Sequence, residues 1–480
     1  MKDYYRIIRN SCFINGQYTK GNLKNTLNIL HKYNQKVMAE INLASSEQIE
    51  DAIAGSVEAF QEYRHWNSGQ KADALKRLVH RLAHKKELFA HLIMAEAGKP
   101  LTYARAEVDR CISTLGTAVD EALRFSGEAL NIDFGAGAGK SALTKRIPLG
   151  PVLAISPFNF PLNLALHKIG PALAAGCSII VKPAPQSPLT LLAFADLLND
   201  IGFPDGVLNI VCCDIPEAEK LVQDERIKML SFTGSDAVGW HLKNICGKKK
   251  VALELGGNAS LIIDETANLE SAAKQAAIGA YLYAGQICIS TQRIYVVEKV
   301  FDAFLNLLEG EIKKIKTGNP EDEEVINGPV IDCGHLNRIN NWVQEAVIEG
   351  AQIITGGHII SKEHNLYAPT LLTDTKSGMK VVDEEAFGPV AIIEKVKDFH
   401  EAISATNNSK YGLQSGVYTT HIDRMKLAHA ELEVGGVIIN SIPGFRVDSM
   451  PYGGVKDSGL GREGIRYAIE EMTEPRLLVY

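Results

Sequence analysis

Residues 151–155 read Pro151-Val152-Leu153-Ala154-Ile155, in which Val152 to Ile155 is an apolar segment with the length of one buried strand. Similar segments follow, separated by stretches long enough for a helix: Ser178 to Val181, Leu208 to Val211, Met229 to Phe232 and Val251 to Leu253. Strands that alternate with helices favour the α/β class, with a doubly wound parallel sheet. Ligands of such sheets bind at the carboxyl ends of the strands, so the residues that follow these segments are the first site candidates.

A second block of alternating segments runs from Leu261 to Asn440. Its loops hold Cys288 and Glu385, two residue types that carry chemistry. Two alternating blocks predict two sheets in one chain, which suits 480 residues because single cores stop growing beyond about 250 to 300 residues. We therefore expect the chemistry where the two blocks meet.

The region before these blocks is expected to be mostly helical over its first hundred residues. Ser45, followed three residues later by Gln48, forms the pattern of a capping box at a helix start. Gly98-Lys99-Pro100 carries the stop signals that are expected to end this helical region. A second helix is predicted from an apolar stripe at helical spacing: Leu75, Leu78, Val79 and Leu82.

Composition and charge exclude several classes of function. The apolar fraction is 46%, and 50 basic against 57 acidic residues give a net charge of −7 without a dense basic block, so no nucleic-acid partner is expected. The chain shows no signal region and no run of about 18 apolar residues, which predicts no membrane association. Its eight cysteines lack a C-x-x-C spacing, and no His-rich ligand spacing occurs, so a cytoplasmic location without a metal is expected.

Cys288 lies in Gly285-Gln286-Ile287-Cys288-Ile289-Ser290, between a helix-like run and the strand-like segment that begins at Arg293. A free cysteine usually acts as a small apolar filler. As a nucleophile it would need surroundings that favour the thiolate and a second group to activate water. Glu254, in Glu254-Leu255-Gly256-Gly257, is the carboxylate candidate for that second group.

These two segments stand in the company of further motifs: Pro157-Phe158-Asn159-Phe160-Pro161, Val181-Lys182-Pro183-Ala184, Phe232-Thr233-Gly234-Ser235, Glu384-Glu385-Ala386-Phe387-Gly388-Pro389-Val390, and Pro451-Tyr452-Gly453-Gly454-Val455-Lys456-Asp457-Ser458-Gly459. In this order and at these separations the set resembles the NAD(P)-dependent aldehyde dehydrogenase superfamily. The resemblance extends from about residue 13 to the C-terminus. It is closest to the lactaldehyde and phosphonoacetaldehyde dehydrogenase-like branch.

The resemblance implies the roles of three catalytic residues. Cys288 would attack the aldehyde carbon, and the backbone N–H of Cys288 with the side-chain amide of Asn159 would stabilise the oxyanion. After hydride transfer to the nicotinamide, Glu254 would activate the water that hydrolyses the thioester. Considered one at a time, Asn159 would be a turn residue between prolines, and Glu254 a carboxylate at a strand end.

The cofactor site is expected at the carboxyl ends of the first block of strands. No G-x-G-x-x-G fingerprint occurs, and the strand-to-helix turn at Gly234 is its weak substitute. The resemblance implies that Lys182 contacts the adenosine ribose and Glu385 the nicotinamide ribose, although each could be a solvated residue. Pro185 replaces a family glutamate that repels a 2′-phosphate, so NAD is favoured without excluding NADP. The remaining cofactor candidates are Ser156, Pro157, Phe158, Ser235, Leu255, Gly256 and Phe387.

The substrate is expected to be a small polar aldehyde that is free of phosphate. Ile287 stands where the non-phosphorylating glyceraldehyde-3-phosphate branch often has an arginine. Arg446 is the first candidate for holding an anionic or hydroxylated aldehyde, because it precedes a run that lines the aldehyde entrance in the family. Arg110 and Arg293 are further candidates, and a solvated or ion-paired arginine is the ordinary alternative for each.

The resemblance also implies a division into domains. Residues 1–124 and 147–255 would form a dinucleotide-binding domain, and residues 256–455 the catalytic domain. Residues 125–146, predicted as a protruding hairpin, and 456–480, which end in an apolar strand, would form an oligomerisation element. An apolar terminal strand exposes an edge unless something pairs with it. A homodimer or homotetramer is therefore expected.

Other classes of function remain open from the sequence alone. In the coenzyme A-acylating branch the glutamate at position 254 is commonly replaced, so its presence favours hydrolysis. A cysteine hydrolase would need a histidine partner, and none of the thirteen histidines stands in a matching motif. A pyridoxal enzyme would need Lys182 free to form an imine. A non-enzymatic protein that retains the fold would tolerate loss of Cys288 or Glu254, and both are present.

Overall fold

The structure is a computed structural model that describes residues 12–22 and 25–480. Within these residues the helices are α1 (Ser46–Tyr63), α2 (Ser68–His84), α3 (Lys86–Ala97), α4 (Leu101–Arg124), α5 (Asn163–Ala175), α6 (Leu189–Ala195), α7 (Ile215–Gln223), α8 (Asp236–Ile245), α9 (Leu269–Tyr281), α10 (Phe301–Ile312), α11 (Cys333–Ile348), α12 (Lys380–Asp383), α13 (Phe399–Asn407), α14 (Ile422–Glu431) and α15 (Ile465–Glu471). The strands are β1 (Cys12–Ile14), β2 (Gln17–Thr19), β3 (Thr26–Leu30), β4 (Val37–Asn42), β5 (Ala129–Leu130), β6 (Ala142–Pro148), β7 (Val152–Ile155), β8 (Ile179–Lys182), β9 (Leu208–Ile210), β10 (Met229–Thr233), β11 (Lys250–Glu254), β12 (Ser260–Ile263), β13 (Arg293–Val297), β14 (Gln352–Thr355), β15 (Ile359–Ser361), β16 (Leu366–Tyr367), β17 (Thr370–Thr373), β18 (Val390–Val396), β19 (Tyr411–Gly412), β20 (Gln414–Tyr418), β21 (Gly436–Ile439), β22 (Val455–Lys456), β23 (Gly459–Leu460) and β24 (Thr473–Val479).

The first large sheet has the strand order β2-β1-β9-β8-β7-β10-β11-β23. Strands β9, β8, β7, β10 and β11 are parallel, as the apolar segments predicted, and β7 has the predicted bounds. The chain moves outward from β7 in one direction to β8 and β9, and in the other direction to β10 and β11. The point between β7 and β10 is therefore the topological switch point, where such sheets bind ligands.

The second large sheet has the order β14-β17-β18-β13-β12-β20-β21, and all its pairs except β14 with β17 are parallel. It is the sheet that the second block of alternating segments predicted. Its β12 and β13 are fully buried, which explains why they read as continuous apolar runs. The prediction of an α/β fold with two doubly wound sheets is confirmed.

The N-terminal region differs from its prediction. Residues 12–22 and 25–42 contain short strands, because β1 pairs with β9 and extends the first sheet, while β3 pairs with β4. The capping box of Ser45 and Gln48 is confirmed, as is the α2 stripe. Gly98 ends α3 in the left-handed conformation, yet α4 begins directly at Leu101, so the predicted end of the helical region was wrong. Pro100 is compatible with the end of α3 and with the start of α4, since a proline is common at the beginning of a helix.

A three-stranded sheet, β24-β6-β5, contains the predicted hairpin and the C-terminal strand. The pairing of β24 with β6 runs from Thr473 opposite Pro148 to Val479 opposite Ala142. Part of the C-terminal segment 456–480, which was assigned to the oligomerisation element, belongs to the first sheet and its core. Strand β23 pairs with β11, and α15 packs into the first core. In the described part of the chain, every helix is too short or too polar to span a membrane.

Candidate active site

Two cavities meet at Cys288, where the two large sheets adjoin. The strand-end cavity, of about 520 Å³, lies along the carboxyl ends of β7, β8, β10 and β11. The arginine cavity, of about 200 Å³, includes Lys99, Arg110, Arg446 and Tyr452 in its lining. Cys288 lines both cavities, so its sulfur can be approached from either side.

The loop before Cys288 has an unusual backbone. Tyr283 and Ala284 adopt left-handed φ angles of 53° and 54°, and Gly285 follows at 67°. A Cβ at Gly285 would lie 2.1 Å from the carbonyl oxygen of Gly388, so only glycine fits. The Tyr283 hydroxyl donates to the carbonyl of Ala97 at 2.8 Å and helps to hold this conformation. Backbone strain of this kind costs about 1 to 3 kcal/mol per residue and is common where an active site needs a fixed geometry.

The Cys288 thiol is half-buried, and its Sγ lies 3.1 Å from the hydroxyl oxygen of Tyr452. Burial raises the pKa of Cys288 to about 12, with a smaller opposing effect from the Tyr452 hydrogen bond. Nearby Glu385 and Glu254 raise this pKa further, whereas Arg446 lowers it. The resting site therefore holds a thiol at neutral pH.

Asn159 follows β7 and brings its amide to the nucleophile loop. Its Nδ2 donates to the carbonyl oxygen of Gln286 at 2.9 Å, two residues before Cys288, and the residue is buried. A side-chain amide in this place has a second N–H that could meet an oxyanion formed beside Cys288.

Glu254 is the last residue of β11 and lies in the strand-end cavity. Its Oε2 is buried without a hydrogen-bond partner in the described residues. Burial raises the pKa of Glu254 well above its ordinary value, and like charge on Glu463 adds to the effect, against the opposing influence of Arg446 and Lys168. A carboxyl group with a raised pKa and a free oxygen suits a general base.

The glycines after Glu254 allow a close approach of the two sheets. A Cβ at Gly257 would lie 2.7 Å from the carbonyl oxygen of Cys288, and one at Gly256 would lie 2.7 Å from Glu385 Oε2. The N–H of Gly257 donates to Glu385 Oε1 at 3.0 Å. Burial raises the pKa of Glu385 to about 7. The Gly256-Gly257 pair thus places Glu385 and the nucleophile at one junction.

All of the predicted cofactor residues line the strand-end cavity. They are Ser156, Pro157, Phe158, Lys182, Gly234, Ser235, Leu255, Gly256, Glu385 and Phe387.

The chemistry of this lining fits a dinucleotide. Ser235 caps α8 without a side-chain hydrogen bond, so the N–H groups at the start of that helix can receive a phosphate. Lys182 forms no ion pair within the described chain, and its ammonium group is free to bind hydroxyls. Phe158 and Phe387 meet edge to face at 5.7 Å beside Cys288, where a flat ring could be held.

The substrate candidates separate into two groups. Arg110 and Arg446 line the arginine cavity. Arg293 lines neither cavity, and its guanidinium donates to the carbonyl oxygens of Asn258, Ala405 and Thr406 at 2.9 to 3.1 Å. The structure therefore corrects the prediction for Arg293, because its donors are used to join β13 to neighbouring segments.

A buried ionic network, missed in the sequence, holds the two remaining arginines. Arg446 pairs with Glu463 at 3.1 Å, and Glu463 also accepts from Lys168 at 2.8 Å. Arg110 pairs with Asp448 at 2.9 Å, and the same Asp448 oxygen lies 2.9 Å from His167 Nε2.

The ion pairs of this network keep its two carboxylates charged. Burial alone would raise the pKa of Asp448 and Glu463, but their partners hold it below the ordinary value, at about 2 for Glu463. Burial and Arg446 lower the pKa of His167 to about 4, so its ring is neutral at pH 7. Arg110 Nε and Arg446 Nε are buried without partners in the described residues.

The chain is similar to known proteins along almost its whole length. The aldehyde dehydrogenase family profile matches residues 18–478. The chain is 40% identical over 469 residues to 3-sulfolactaldehyde dehydrogenase of Priestia aryabhattai, with 97% of each chain covered. It is 37% identical over 474 residues to lactaldehyde dehydrogenase of Methanococcus maripaludis, covering 97% of this chain and 99% of that one. The crystal structure of aldehyde dehydrogenase 21 from Physcomitrella patens, in complex with the reaction product succinate, matches with a TM-score of 0.94 and 38% identity over 98% of both chains.

The fold is of the α/β class, with Cys288 at the junction of two doubly wound sheets. The chain belongs to the aldehyde dehydrogenase family. It is therefore an enzyme that oxidises an aldehyde to a carboxylic acid by the general scheme of that family. The coenzyme A-acylating and non-enzymatic alternatives are not favoured.

Proposed function

We propose that this enzyme oxidises a small anionic aldehyde with NAD(P)+, using Cys288, Asn159 and Glu254 at the site described above. The bound nicotinamide would supply the hydride acceptor. Cys288 would add to the aldehyde carbon through the arginine cavity, and the Asn159 amide would donate to the oxyanion. Glu254 would then take a proton from the water that hydrolyses the Cys288 thioester.

One observation carries the choice of substrate. The arginine cavity ends at Cys288 and includes two guanidinium groups, on Arg110 and Arg446, each with a buried Nε that lacks an acceptor. A buried donor without a partner costs about 1 to 3 kcal/mol, so an anionic group bound here would recover that cost. The small volume favours a chain of two to four carbons that ends in a sulfonate or carboxylate. The name of the 3-sulfolactaldehyde dehydrogenase relative supports both the size and the charge, whereas lactaldehyde, which is uncharged, supports the size alone.

The test is the formation of reduced nicotinamide, followed by absorbance, with 3-sulfolactaldehyde, sulfoacetaldehyde, succinic semialdehyde, lactaldehyde and propanal. We expect anionic aldehydes to have the highest kcat/KM and uncharged propanal the lowest. Arg446→Met should lower kcat/KM for the anionic substrates by at least about tenfold, as expected for a lost charged hydrogen bond, with a smaller effect on propanal. Equal losses for both kinds of substrate would contradict the anion-binding role.

The catalytic roles have their own test. Cys288→Ala should abolish oxidation of every aldehyde. Glu254→Gln should release one equivalent of reduced nicotinamide per active site in a rapid burst and then turn over slowly, since only the hydrolysis of the thioester is blocked. Persistent turnover in Cys288→Ala would overturn the covalent mechanism. A higher rate with coenzyme A, together with acyl-coenzyme A as product, would favour the acylating alternative instead.

We propose NAD as the cofactor, with NADP also accepted. The support is Lys182 at the end of β8, together with Pro185, which brings no carboxylate to the cavity near it. A 2′-phosphate would meet no charge repulsion from residue 185. The measurement is kcat/KM for both cofactors with one aldehyde. Introducing a carboxylate with Pro185→Glu should lower the value for NADP more than that for NAD.

We also propose a homodimer or homotetramer in which β5, β6 and β24 form the contacts. The support is the exposed apolar surface of the C-terminal strand at Leu477, Leu478 and Tyr480. The domain division is proposed as predicted, except that β23 and α15 join the dinucleotide-binding part. A reducing, cytoplasmic location stays a prediction, which the free state of all eight cysteines supports.

A further inference from the structure

Tyr452 is the side chain that contacts the reacting sulfur. Its hydroxyl oxygen lies 3.1 Å from Cys288 Sγ, across 164 residues of sequence, and the residue is 3% exposed. A buried phenol usually has a hydrogen-bond partner, and here the partner is the proposed nucleophile. The contact is therefore part of the site, and it has no role in the catalytic scheme given above.

The Tyr452 ring is held rigidly by Arg446 and Glu463. The Arg446 Cζ lies 3.7 Å from the ring centroid, which is a close cation–π contact. Tyr452 and Glu463 exchange backbone hydrogen bonds in an antiparallel bridge, at 3.0 Å and 2.6 Å. The Glu463 side chain also binds the Arg446 guanidinium. Glu463 therefore holds both members of the stack, Tyr452 through its backbone and Arg446 through its carboxylate.

Few groups around Cys288 favour its thiolate, and the Tyr452 hydroxyl is one of them. The carboxylates of Glu254 and Glu385 disfavour a negative sulfur, as does burial, whereas Arg446 and the Tyr452 hydroxyl favour it. The other charged groups of the arginine cavity are Lys99, which is paired with Glu107, and Arg110. Tyr452 is thus the hydroxyl that contacts the sulfur directly in the described structure; either atom can donate while Cys288 is a thiol, whereas only Tyr452 can donate to a thiolate. The cation stacked on the Tyr452 ring makes its hydroxyl a stronger donor.

We propose that Tyr452, polarised by the stacked Arg446, orients Cys288 and stabilises its thiolate by donating a hydrogen bond to Sγ. The thiol proton leaves to water in the cavity, and the sulfur keeps the electron pair that later forms the S–C bond. When that bond forms, the sulfur loses its charge and the hydrogen bond weakens. Arg446 is in this respect a positioning residue that acts through Tyr452. The inference rests on the proposed role of Cys288 as nucleophile.

The test measures the thiolate without turnover. Alkylation by iodoacetamide forms an S–C bond and releases iodide, and its rate follows the fraction of thiolate. The exposed Cys333 is first replaced by serine, so that Cys288 is the reactive thiol of the background protein. In Tyr452→Phe, which keeps the ring, we expect the pH profile to move upward by about one unit and the rate at pH 8 to fall about tenfold.

A matched control is Tyr418→Phe, which removes a buried hydroxyl that has no partner in the described residues. Its alkylation profile should equal that of the parent protein. Replacing tyrosine with the more acidic 3-fluorotyrosine in the parent should shift the profile downward, and this shift should disappear in the Tyr452→Phe background. The downward shift in the parent protein does not depend on how well Tyr452→Phe folds.

Identical alkylation profiles for Tyr452→Phe and its parent would overturn the inference. So would a loss of kcat/KM in Tyr452→Phe that is the same at every pH, since a packing role predicts no change with pH. Neither result would bear on the proposed function, which fails through Cys288→Ala instead. The expected result is a kcat/KM that falls near neutral pH and recovers at higher pH.

Discussion

Cys288 and Glu254 are shifted in the same direction, because burial raises the pKa of both. The resting site is thus close to neutral where a nucleophile and a base are required. A neutral site avoids the cost of burying two charges before substrate arrives. The energetic cost moves to the moment of reaction, where Tyr452, Arg446 and the bound cofactor can offset it.

The raised pKa of Glu254 predicts a gain in stability on its replacement. A carboxyl group whose folded pKa exceeds its unfolded value stabilises the protein in its protonated form, and this contribution is lost as pH rises from the ordinary value near 4.5 through the raised value. Glu254→Gln keeps the shape and cannot ionise. We expect its Tm to exceed that of the wild type at pH 8 and the difference to shrink towards pH 4. The measurement is thermal unfolding followed by circular dichroism at both pH values. A lower Tm for Glu254→Gln than for the wild type at pH 8 would contradict the raised pKa of Glu254.

Asn159 is expected to act on the rate and not on binding. Loss of one oxyanion donor typically costs about 10²- to 10³-fold in rate, so Asn159→Ala should lower kcat by that factor. The Kd for the cofactor, measured by fluorescence titration, should stay within about twofold. Asn163→Ala is a control in the same region, because its amide donates to Thr114 and not to the nucleophile loop. A loss in kcat no larger than that of Asn163→Ala would remove Asn159 from the catalytic step.

The sequence located the site residues that directly follow a strand. Lys182, Glu254 and Asn159 were predicted from motifs that resemble those of the family, and the strands that end at or before them bring them to one edge of the parallel sheet. Tyr452, Glu463 and His167 were missed because their contacts join residues that are far apart in the chain. Arg293 was misassigned because its carbonyl partners could not be recognised without the coordinates. Sequence pattern therefore predicts which residues reach an edge, but not which pairs form there.

At the scale of elements, a buried carboxylate of α4 caps the N-terminus of helix α5. Glu107 of α4 accepts hydrogen bonds from the backbone N–H groups of Leu162 and Asn163 at 3.1 Å, at the N-terminus of α5. The same carboxylate pairs with the buried Lys99. Burial lowers the pKa of Lys99 to about 8, so the ammonium depends on this partner. The cap thus fixes α5, which carries His167 and Lys168 of the ionic network.

Glu107→Leu is expected to destabilise the protein strongly. Removing one partner leaves Lys99 buried without its counter-ion, which typically costs about 3 to 5 kcal/mol. Asp109 is a matched control two residues away on α4, where it forms an exposed pair with Lys86 at 2.7 Å. Asp109→Ala should cost at most about 1 kcal/mol. Urea denaturation of both variants measures the difference, and similar free energies of unfolding would contradict the buried-pair argument.

The elements that the sequence predicted well are those with a strong local signal. The five parallel strands of the first sheet and the capping box at Ser45 fall where their patterns indicated. The strands in residues 12–42 were missed because segments of three to six residues carry little periodicity, and their formation depends on pairing with β9 or with one another. The immediate restart of the helix at Leu101 was missed because Pro100 is equally common after and before helices.

At the scale of the whole molecule, the two sheets divide the work of one site. The first sheet provides the strand ends where we propose that a dinucleotide binds, and the loop of Cys288 precedes β13 of the second sheet. The C-terminal segment crosses back between them, because β22 pairs with β19 and β23 pairs with β11. Tyr452, Asp448 and Glu463 all lie on this returning segment. The arginine cavity is therefore complete only when this C-terminal segment is packed between the two sheets.

The exposed surface of β24 gives the last prediction. Leu477 is 58% exposed and Val479 is 43% exposed, and both lie on one face because side chains two apart in a strand share a face. Apolar side chains on an open edge strand are a liability unless another surface covers them, and a second copy of the chain is the covering surface that we propose. Leu477→Lys with Val479→Lys should break this contact, since burying two ammonium groups is unfavourable.

Light scattering after size exclusion is expected to give two or four times the mass of the 52.3 kDa chain for the wild type and the mass of one chain for the double variant. Ile348→Lys is the control, because Ile348 is 85% exposed on α11, away from the three-stranded sheet. An unchanged mass in the double variant would exclude β24 from the interface. A mass reduced equally by Ile348→Lys would place the contact on α11 instead. Only a loss of mass confined to the β24 variant agrees with an assembly formed through the C-terminal strand.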